Sequence, residues 1–392
     1  MADQNVLLNT ITNSHNFNFT AEANPNLRFL LFYPFSPSFD LATTSDPHQH
    51  IINNMTPLLG AVEEYKSLPL GKTFIRWDNV QNPPGDSASC PVLLLIHGAT
   101  VPSWQFDAIV PELVDTTALN QYRVLRIDLY GHGRSARPDV EYNLDLFVSQ
   151  VIDVIEDCCI GCQHIIGIGH SMGSAVLAKV VSMKRDIFRC LVLVAPMLDY
   201  KSLNPHSRLL SLPVVGEALM RNSIVPTLTK RRMMRYSAIG MPELGDRFAM
   251  EIQTKHRPSS DSLDCDISFS DMLLRMFRHG AVGNQYDAYQ RLAECRNQKM
   301  VSTENKNAHG LLKVHVMWGD HDNVANERQI TNILCRLGGI ECVDVDETQK
   351  KTCLQTNGVT YKKLKGLEHN LLLSHPKLCA DEIIMFLNRV SV

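Results

Sequence analysis

Ile165-Ile166-Gly167-Ile168-Gly169-His170-Ser171-Met172-Gly173 is a short apolar run closed by the pattern Gly-x-Ser-x-Gly. Ser174-Ala175-Val176-Leu177-Ala178-Lys179-Val180-Val181 follows it with helical length and spacing. Strand, sharp turn, helix is the setting that makes this pattern a nucleophile elbow. A serine at such a turn takes a strained backbone conformation, tolerated because small neighbours let adjacent backbone come close. The strain lifts the hydroxyl clear of the sheet, and the start of the next helix turns backbone N–H groups toward a developing anion. The competing reading is a glycine-rich turn around a buried serine, and the flanking strand and helix argue against it.

Similar apolar runs lie on either side. Thr73 to Trp77 reads as an early strand, Pro91 to Ile96 ends at His97-Gly98, Val124 to Asp128 ends in Tyr130-Gly131-His132-Gly133-Arg134-Ser135, and Cys190 to Ala195 follows the elbow helix. Leu144 to Asp157 has apolar positions at helical spacing. Runs that are continuous rather than alternating mark strands covered on both faces, hence a parallel sheet between helices. The rhythm stops near Tyr200 and returns at Leu311 to Trp318, near Val359 to Leu364, and in a last helix from Pro376 to Asn388. Between them, 201–304 is helical in flavour and punctuated by Pro205, Pro213, Pro226, Pro242 and Pro258. The fold class is therefore α/β, a mostly parallel central sheet flanked by helices. Four segments are expected: an irregular N-terminal extension over 1–70 with one strand near Leu27 to Tyr33, a core over 71–200, a helical insertion over 201–304, and a second core part over 305–392.

A serine hydroxyl needs a base, and the base an orienting carboxylate. After a nucleophile elbow the acid precedes the histidine in the chain. Gly319-Asp320-His321-Asp322 directly follows the strand ending at Trp318, and Gly366-Leu367-Glu368-His369-Asn370 follows the last strand. Ser171, Asp322 and His369 are the expected catalytic set. Asp320 competes locally for the acid, and Asp199, just past the strand Cys190 to Ala195, is the alternative acid. His375-Pro376 reads instead as a helix start. The oxyanion hole is expected from two backbone N–H groups, those of Met172 and of Ala99 in His97-Gly98-Ala99-Thr100. His132 and Arg134 read as parts of a tight turn beside the elbow.

The order His97-Gly98, Asp128 to Ser135, Gly169 to Gly173, Gly319 to Asp322 and His369 resembles the α/β-hydrolase fold superfamily. Asp128-Leu129-Tyr130-Gly131-His132-Gly133-Arg134-Ser135 is similar to the strand-4 turn of its lipase-like, esterase-like and carbon–carbon-bond hydrolase members. The resemblance covers about 72–200 and 310–392, and it implies that the helical insertion is a cap, or lid, over the site. The first 70 residues have no family counterpart, and Cys342 to Asn357 is longer and more polar than the pattern. Members that open epoxides or displace halides through an alkyl-enzyme use a carboxylate nucleophile, so Ser171 points to acyl chemistry on an ester, thioester or amide. The resemblance implies a serine esterase acting on a carboxylic ester, of monoacylglycerol, lysophospholipid or small carboxylester type. A carbon–carbon-bond hydrolase and a non-catalytic ligand-binding protein are the alternatives.

Net charge is −3 from 38 basic and 41 acidic residues, which gives no reason to expect nucleic acid. The expected partner is a small-molecule ester or acyl lipid. The insertion carries eight of the fifteen methionines, Met220, Met233, Met234, Met272 and Met276 among them, which read chiefly as helical-core filler. Lys230-Arg231-Arg232-Met233-Met234-Arg235 reads as a solvated helix face, with peripheral membrane contact through the cap as the alternative. Eleven scattered cysteines read as reduced thiols, and the Cys-x-x-Cys at Cys159 and Cys162 lacks a second ligand pair. No cofactor and no metal are expected. Met1-Ala2-Asp3-Gln4-Asn5 opens no basic and apolar leader, so a cytoplasmic address is expected and the sequons at Asn18 and Asn54 are read as unused. Oligomeric state is not legible.

Overall fold

Strands form where apolar residues run unbroken. β3 (Val92–Ile96) and β5 (Ile165–His170) are buried at every position, and β6 (Phe188–Val194) and β7 (Lys313–Gly319) at all but one. Burial on both faces is what removes polar alternation from such segments. The computed structural model describes residues 61–80, 90–116, 119–200, 207–255, 266–297, 311–338 and 358–390. The strand expected near Leu27 to Tyr33, the polar stretch Cys342 to Asn357 and both sequons lie outside these.

One eight-stranded sheet runs in the order β1-β2-β4-β3-β5-β6-β7-β8, with β1 (Val62–Leu68), β2 (Gly71–Asp78), β4 (Arg123–Ile127) and β8 (Val359–Leu364) completing it. The pairs β1–β2 and β2–β4 are antiparallel, and the remaining pairs are parallel. Leu94, Gly167, Leu191 and Val314 lie in register across the centre, so β3, β5, β6 and β7 all end at one edge of the sheet. Ligand sites of open parallel sheets form at that carboxyl edge.

β1 differs from the sequence reading, which places 62–68 in the irregular extension. Glu63, Tyr65 and Ser67 are exposed, Glu64 and Lys66 are half-buried, and the strand lies at the sheet's margin with no fully buried position. A half-exposed edge strand lacks the unbroken apolar run that betrays its neighbours.

The helices that cover the sheet are α1 (Ile109–Val114), α2 (Leu144–Cys158), α3 (Met172–Met183), α8 (Glu327–Arg336) and α9 (Pro376–Arg389). Asn143 caps α2 by accepting from Leu146 N–H at 2.9 Å. Among the described residues, the chain between β6 and β7 includes α4 (Val225–Ala238), α5 (Pro242–Thr254), α6 (Phe269–His279) and α7 (Tyr286–Asn297). α7 returns to pack on α3, which joins the insertion to the core. Met220, Met272 and Met276 are buried, whereas Met233 and Met234 face outward. Cys158, Cys159, Cys162, Cys190, Cys295 and Cys379 are free thiols. Cys335 departs from the reduced reading: it is disulfide-bonded.

Candidate active site

Ser171 stands between the end of β5 and the start of α3 with φ 54° and ψ −118°, a left-handed conformation that a side chain rarely adopts. Its surroundings hold it there. Ser171 N–H donates to Val194 O at 2.9 Å, and Ser174 Oγ–H donates to Gly169 O at 2.7 Å. A Cβ at Gly169 would stand 2.6 Å from Gly173 O, and one at Gly173 would overlap the Ile96 carbonyl. Only hydrogen at both positions lets the elbow press this closely on β3.

The other two residues arrive from the same sheet edge. Past β7, Gly319 passes so tightly under Leu367 that a Cβ there would overlap the Leu367 carbonyl oxygen. His321 N–H donates to Leu367 O at 2.9 Å and Asp320 N–H to Leu364 O at 3.0 Å, which ties the loop after β7 to the loop after β8. His369 Nε2 then lies 2.9 Å from Ser171 Oγ, and His369 Nδ1 lies 2.8 Å from Asp322 Oδ2. Burial alone would raise the Asp322 carboxyl. The facing His369 charge, its hydrogen bond and two backbone N–H donors outweigh burial and hold the group below its ordinary value. An ionised carboxylate only accepts, so Nδ1 carries the imidazole proton and Nε2 offers its lone pair to the serine hydroxyl.

The rival acids have other partners. Asp320 Oδ1 accepts the Gly366 N–H, closing the loop beneath His369. Asp199 is bound through its backbone to Gln329, whose amide spans Asp199 N–H and C=O at 3.2 and 3.0 Å. His375 lies at the join of two helices, with Nδ1 2.9 Å from Ser374 Oγ.

Met172 opens α3, where first-turn N–H groups lack intrahelical acceptors. Neither its N–H nor that of Ala99 meets a protein acceptor among the described residues. The loop carrying Ala99 is held from below. His97 Nδ1–H donates to Gly98 O at 2.7 Å while Nε2 accepts Leu129 N–H at 2.9 Å. His132 sets Nε2 against Ala99 O at 2.8 Å and Nδ1 against Tyr130 O at 3.0 Å. Asp128 accepts Ser103 N–H and Arg134 N–H, both at 2.9 Å, and a Cβ at Gly133 would overlap its carboxylate. Asp128 to Ser135 is thus the tight turn that its glycines imply, serving as a strut for the Ala99 loop.

His170, the variable residue before the serine, is a positioning group that the sequence reading passed over. Nε2–H donates to His369 O at 2.9 Å, so the residue before Ser171 steadies the backbone of His369. Burial and the adjacent His369 push its pKa down to about 3, which keeps the ring neutral. Insertion residues also reach the site. Arg235 pairs with Glu368 at 2.9 Å, Arg247 with Asp107 at 2.7 Å, and Arg232 donates to Thr100 Oγ1 at 2.7 Å. Among the described residues no His, Cys, Asp and Glu group could hold a metal ion.

A mostly parallel sheet, a serine on the turn out of its central strand, and a histidine and carboxylate from later loops at the same edge together define the α/β-hydrolase class of folds. Residues 93–382 match the model of the Alpha/beta hydrolase family, and the chain belongs to that family. Its curated relatives include an uncharacterized protein of Mycobacterium bovis, 28% identical over 41% of this chain and 46% of that protein. Another is 2-(acetamidomethylene)succinate hydrolase of Mesorhizobium japonicum, 25% identical over 30% of this chain and 41% of that enzyme. These matches span less than half the length of either relative. Solved structures of like fold include a haloalkane dehalogenase from Bradyrhizobium elkani (TM-score 0.56, 15% identity, 85% of this chain and 99% of that one). A thermophilic esterase from Thermogutta terrifontis is similar at TM-score 0.55 and 14% identity, over 85% of this chain and 100% of that one. At such identities the likeness is one of fold.

Proposed function

We propose that this protein is a serine hydrolase that cleaves a carboxylic ester through an acyl-serine intermediate, with 201–304 as its cap. The observation that carries the proposal is the hydrogen-bonded line Ser171–His369–Asp322, at 2.9 and 2.8 Å, on a strained elbow beside two unsatisfied N–H groups. Ser171 Oγ attacks the ester carbonyl carbon as His369 Nε2 takes its proton. Ala99 and Met172 N–H groups receive the carbonyl oxygen as it becomes an oxyanion. Collapse expels the alcohol, which takes the proton back from His369. Water, deprotonated by the same nitrogen, then releases the acid and restores the serine. Asp322 stays ionised and stabilises the imidazolium formed at each stage.

A second reading keeps these residues and changes the bond cleaved, to a carbon–carbon bond. A similar protein is named for hydrolysis of 2-(acetamidomethylene)succinate, a substrate that is not named as an ester, which leaves room for a bond other than the ester. A substrate-binding cap is supported by the contacts of Arg232, Arg235 and Arg247 with the loops around the serine. Peripheral membrane contact rests on outward Val214 and Met234, and no helix among the described residues is long and apolar enough to cross a membrane.

The test is a fluorophosphonate probe with a panel of p-nitrophenyl esters of rising acyl length. Wild type should be labelled and turn over the panel with a clear optimum, and Ser171→Ala should do neither. No labelling of folded wild type would favour a binding protein. Cleavage of a dienoate ring-fission product without ester turnover would favour the second reading.

A further inference from the structure

We infer that Arg232 is an anion-binding residue of the substrate site, and that the preferred ester carries a carboxylate on a short chain. This rests on the hydrolase reading above and names its substrate class.

Five of the insertion's other arginines show by contrast what Arg232 lacks. Arg221 pairs with Asp271 at 2.8 Å, Arg235 with Glu368 at 2.9 Å, Arg247 with Asp107 at 2.7 Å, Arg275 with Asp139 at 2.5 Å and Arg278 with Glu217 at 2.6 Å. Arg232, on α4, meets no carboxylate among the described residues. Its Nη2–H donates to the neutral Thr100 hydroxyl, and its guanidinium lies 4.6 Å from the centre of the Phe248 ring. Nη1 is closed off from solvent without a hydrogen bond of good geometry, and so is the hydroxyl of Tyr236 one turn along. Burial therefore lowers the affinity of Arg232 for its proton, and the contact with the Tyr236 hydroxyl offsets this only in part. A desolvated cation without a counter-charge is costly, and the usual remedy is an anion.

Its location says which anion. Thr100 directly follows Ala99, the expected oxyanion donor, and successive Cα atoms stand about 3.8 Å apart. The charge of Arg232 is also felt at His170, beside the nucleophile. A group bound at Arg232 thus lies close to the scissile carbonyl. Lys230 and Arg231 face outward, and Arg235 is already matched by Glu368. A single guanidinium suits a singly charged carboxylate better than a phosphate dianion. On binding, the carboxylate replaces Thr100 as acceptor, and the long side chain turns its unsatisfied edge to meet it.

The experiment compares mono-p-nitrophenyl glutarate with p-nitrophenyl valerate, which have acyl chains of equal length and differ in the terminal carboxylate. Wild type should favour the glutarate ester in kcat/KM by about tenfold or more, the scale of a charge-assisted hydrogen bond. Arg232→Gln should abolish that ratio and Arg232→Lys keep part of it. Taking the ratio cancels any damage common to both esters, such as a disturbed Thr100. A wild-type ratio near one, or a ratio unchanged in Arg232→Gln, on protein still labelled by fluorophosphonate overturns the inference and leaves the hydrolase reading standing. Should labelling and turnover both fail, that reading falls, and calorimetry with glutarate decides the anion site alone. Saturable binding to Ser171→Ala that Arg232→Gln removes upholds it; no binding, or inorganic phosphate binding in preference, overturns it.

Discussion

Replacing Asp322 by asparagine should cost this site most of its turnover while leaving its fold in place, and the geometry says why. Oδ1 of Asp322 accepts Val324 N–H at 2.7 Å and Ala325 N–H at 2.8 Å, whereas Oδ2 accepts only His369 Nδ1–H. In Asp322→Asn the two backbone donors claim the remaining oxygen, so the new NH2 group must face Nδ1. Nδ1 can then only accept, and the imidazole proton moves to Nε2. A protonated Nε2 donates to Ser171 Oγ and cannot take its proton. Loss of the correct tautomer at a serine–histidine–carboxylate site lowers kcat about 10⁴-fold, or roughly 5.4 kcal/mol at 1.36 kcal/mol per tenfold. Because both backbone bonds survive, the urea midpoint should hardly move. The assay is burst and steady-state hydrolysis of the best p-nitrophenyl ester, with Asp199→Asn alongside. A kcat for Asp322→Asn within tenfold of wild type, or an equal loss in Asp199→Asn, would refute this assignment of the acid.

Two further outcomes follow from the buried framework. His170 has an ordinary pKa of 6.5 and is held down to about 3 in the fold, so below pH 6.5 the unfolded chain binds a proton that the folded one refuses. Its stabilising contribution is therefore complete above pH 6.5 and is lost as pH falls, by about 1.3 kcal/mol between pH 7 and 5.5. Urea melts should show that slope shrinking by about one proton in His170→Gln, and an unchanged slope would mean the ring is protonated in the folded state. Gly133, at φ +51° with no room for a Cβ beside the Asp128 carboxylate, should not tolerate alanine. Gly133→Ala should lose about 2 kcal/mol or more, read as a lowered urea midpoint; a midpoint within error of wild type would count against the tight turn.

Legibility followed burial. β3, β5, β6 and β7 were readable because both faces are covered, and their unbroken Val, Leu and Ile runs record that directly. β1 was not, since Glu63, Glu64, Lys66 and Ser67 interrupt its apolar residues at the sheet margin and resemble any polar stretch. The elbow and the two later loops that close on Ser171 were readable from their order after successive strands. The choice between Asp320 and Asp322 was not, because both share one loop and only the packing of Gly319 against Leu367 decides which carboxylate faces the ring. His170 escaped notice because the pattern leaves its position variable, and its role lies in a bond to a carbonyl 199 residues away. Arg232 sits in a basic run that reads as a solvated face. Which of four neighbouring cations turns inward depends on how α4 lies against Thr100 and Phe248, and no spacing encodes that.

The order in which the three residues emerge has a consequence for the growing chain. Ser171 and its strained turn belong to the first half, yet the histidine that activates it is 198 residues further on, beyond both the insertion and β8. A nascent chain can complete β3 to β6 and α3 while the hydroxyl is still an ordinary alcohol. On the proposed hydrolase reading, reactivity cannot switch on before the loop at Gly366 to His369 has been made. On that reading, the long-range bond that would activate the serine is absent from every chain not yet grown past His369.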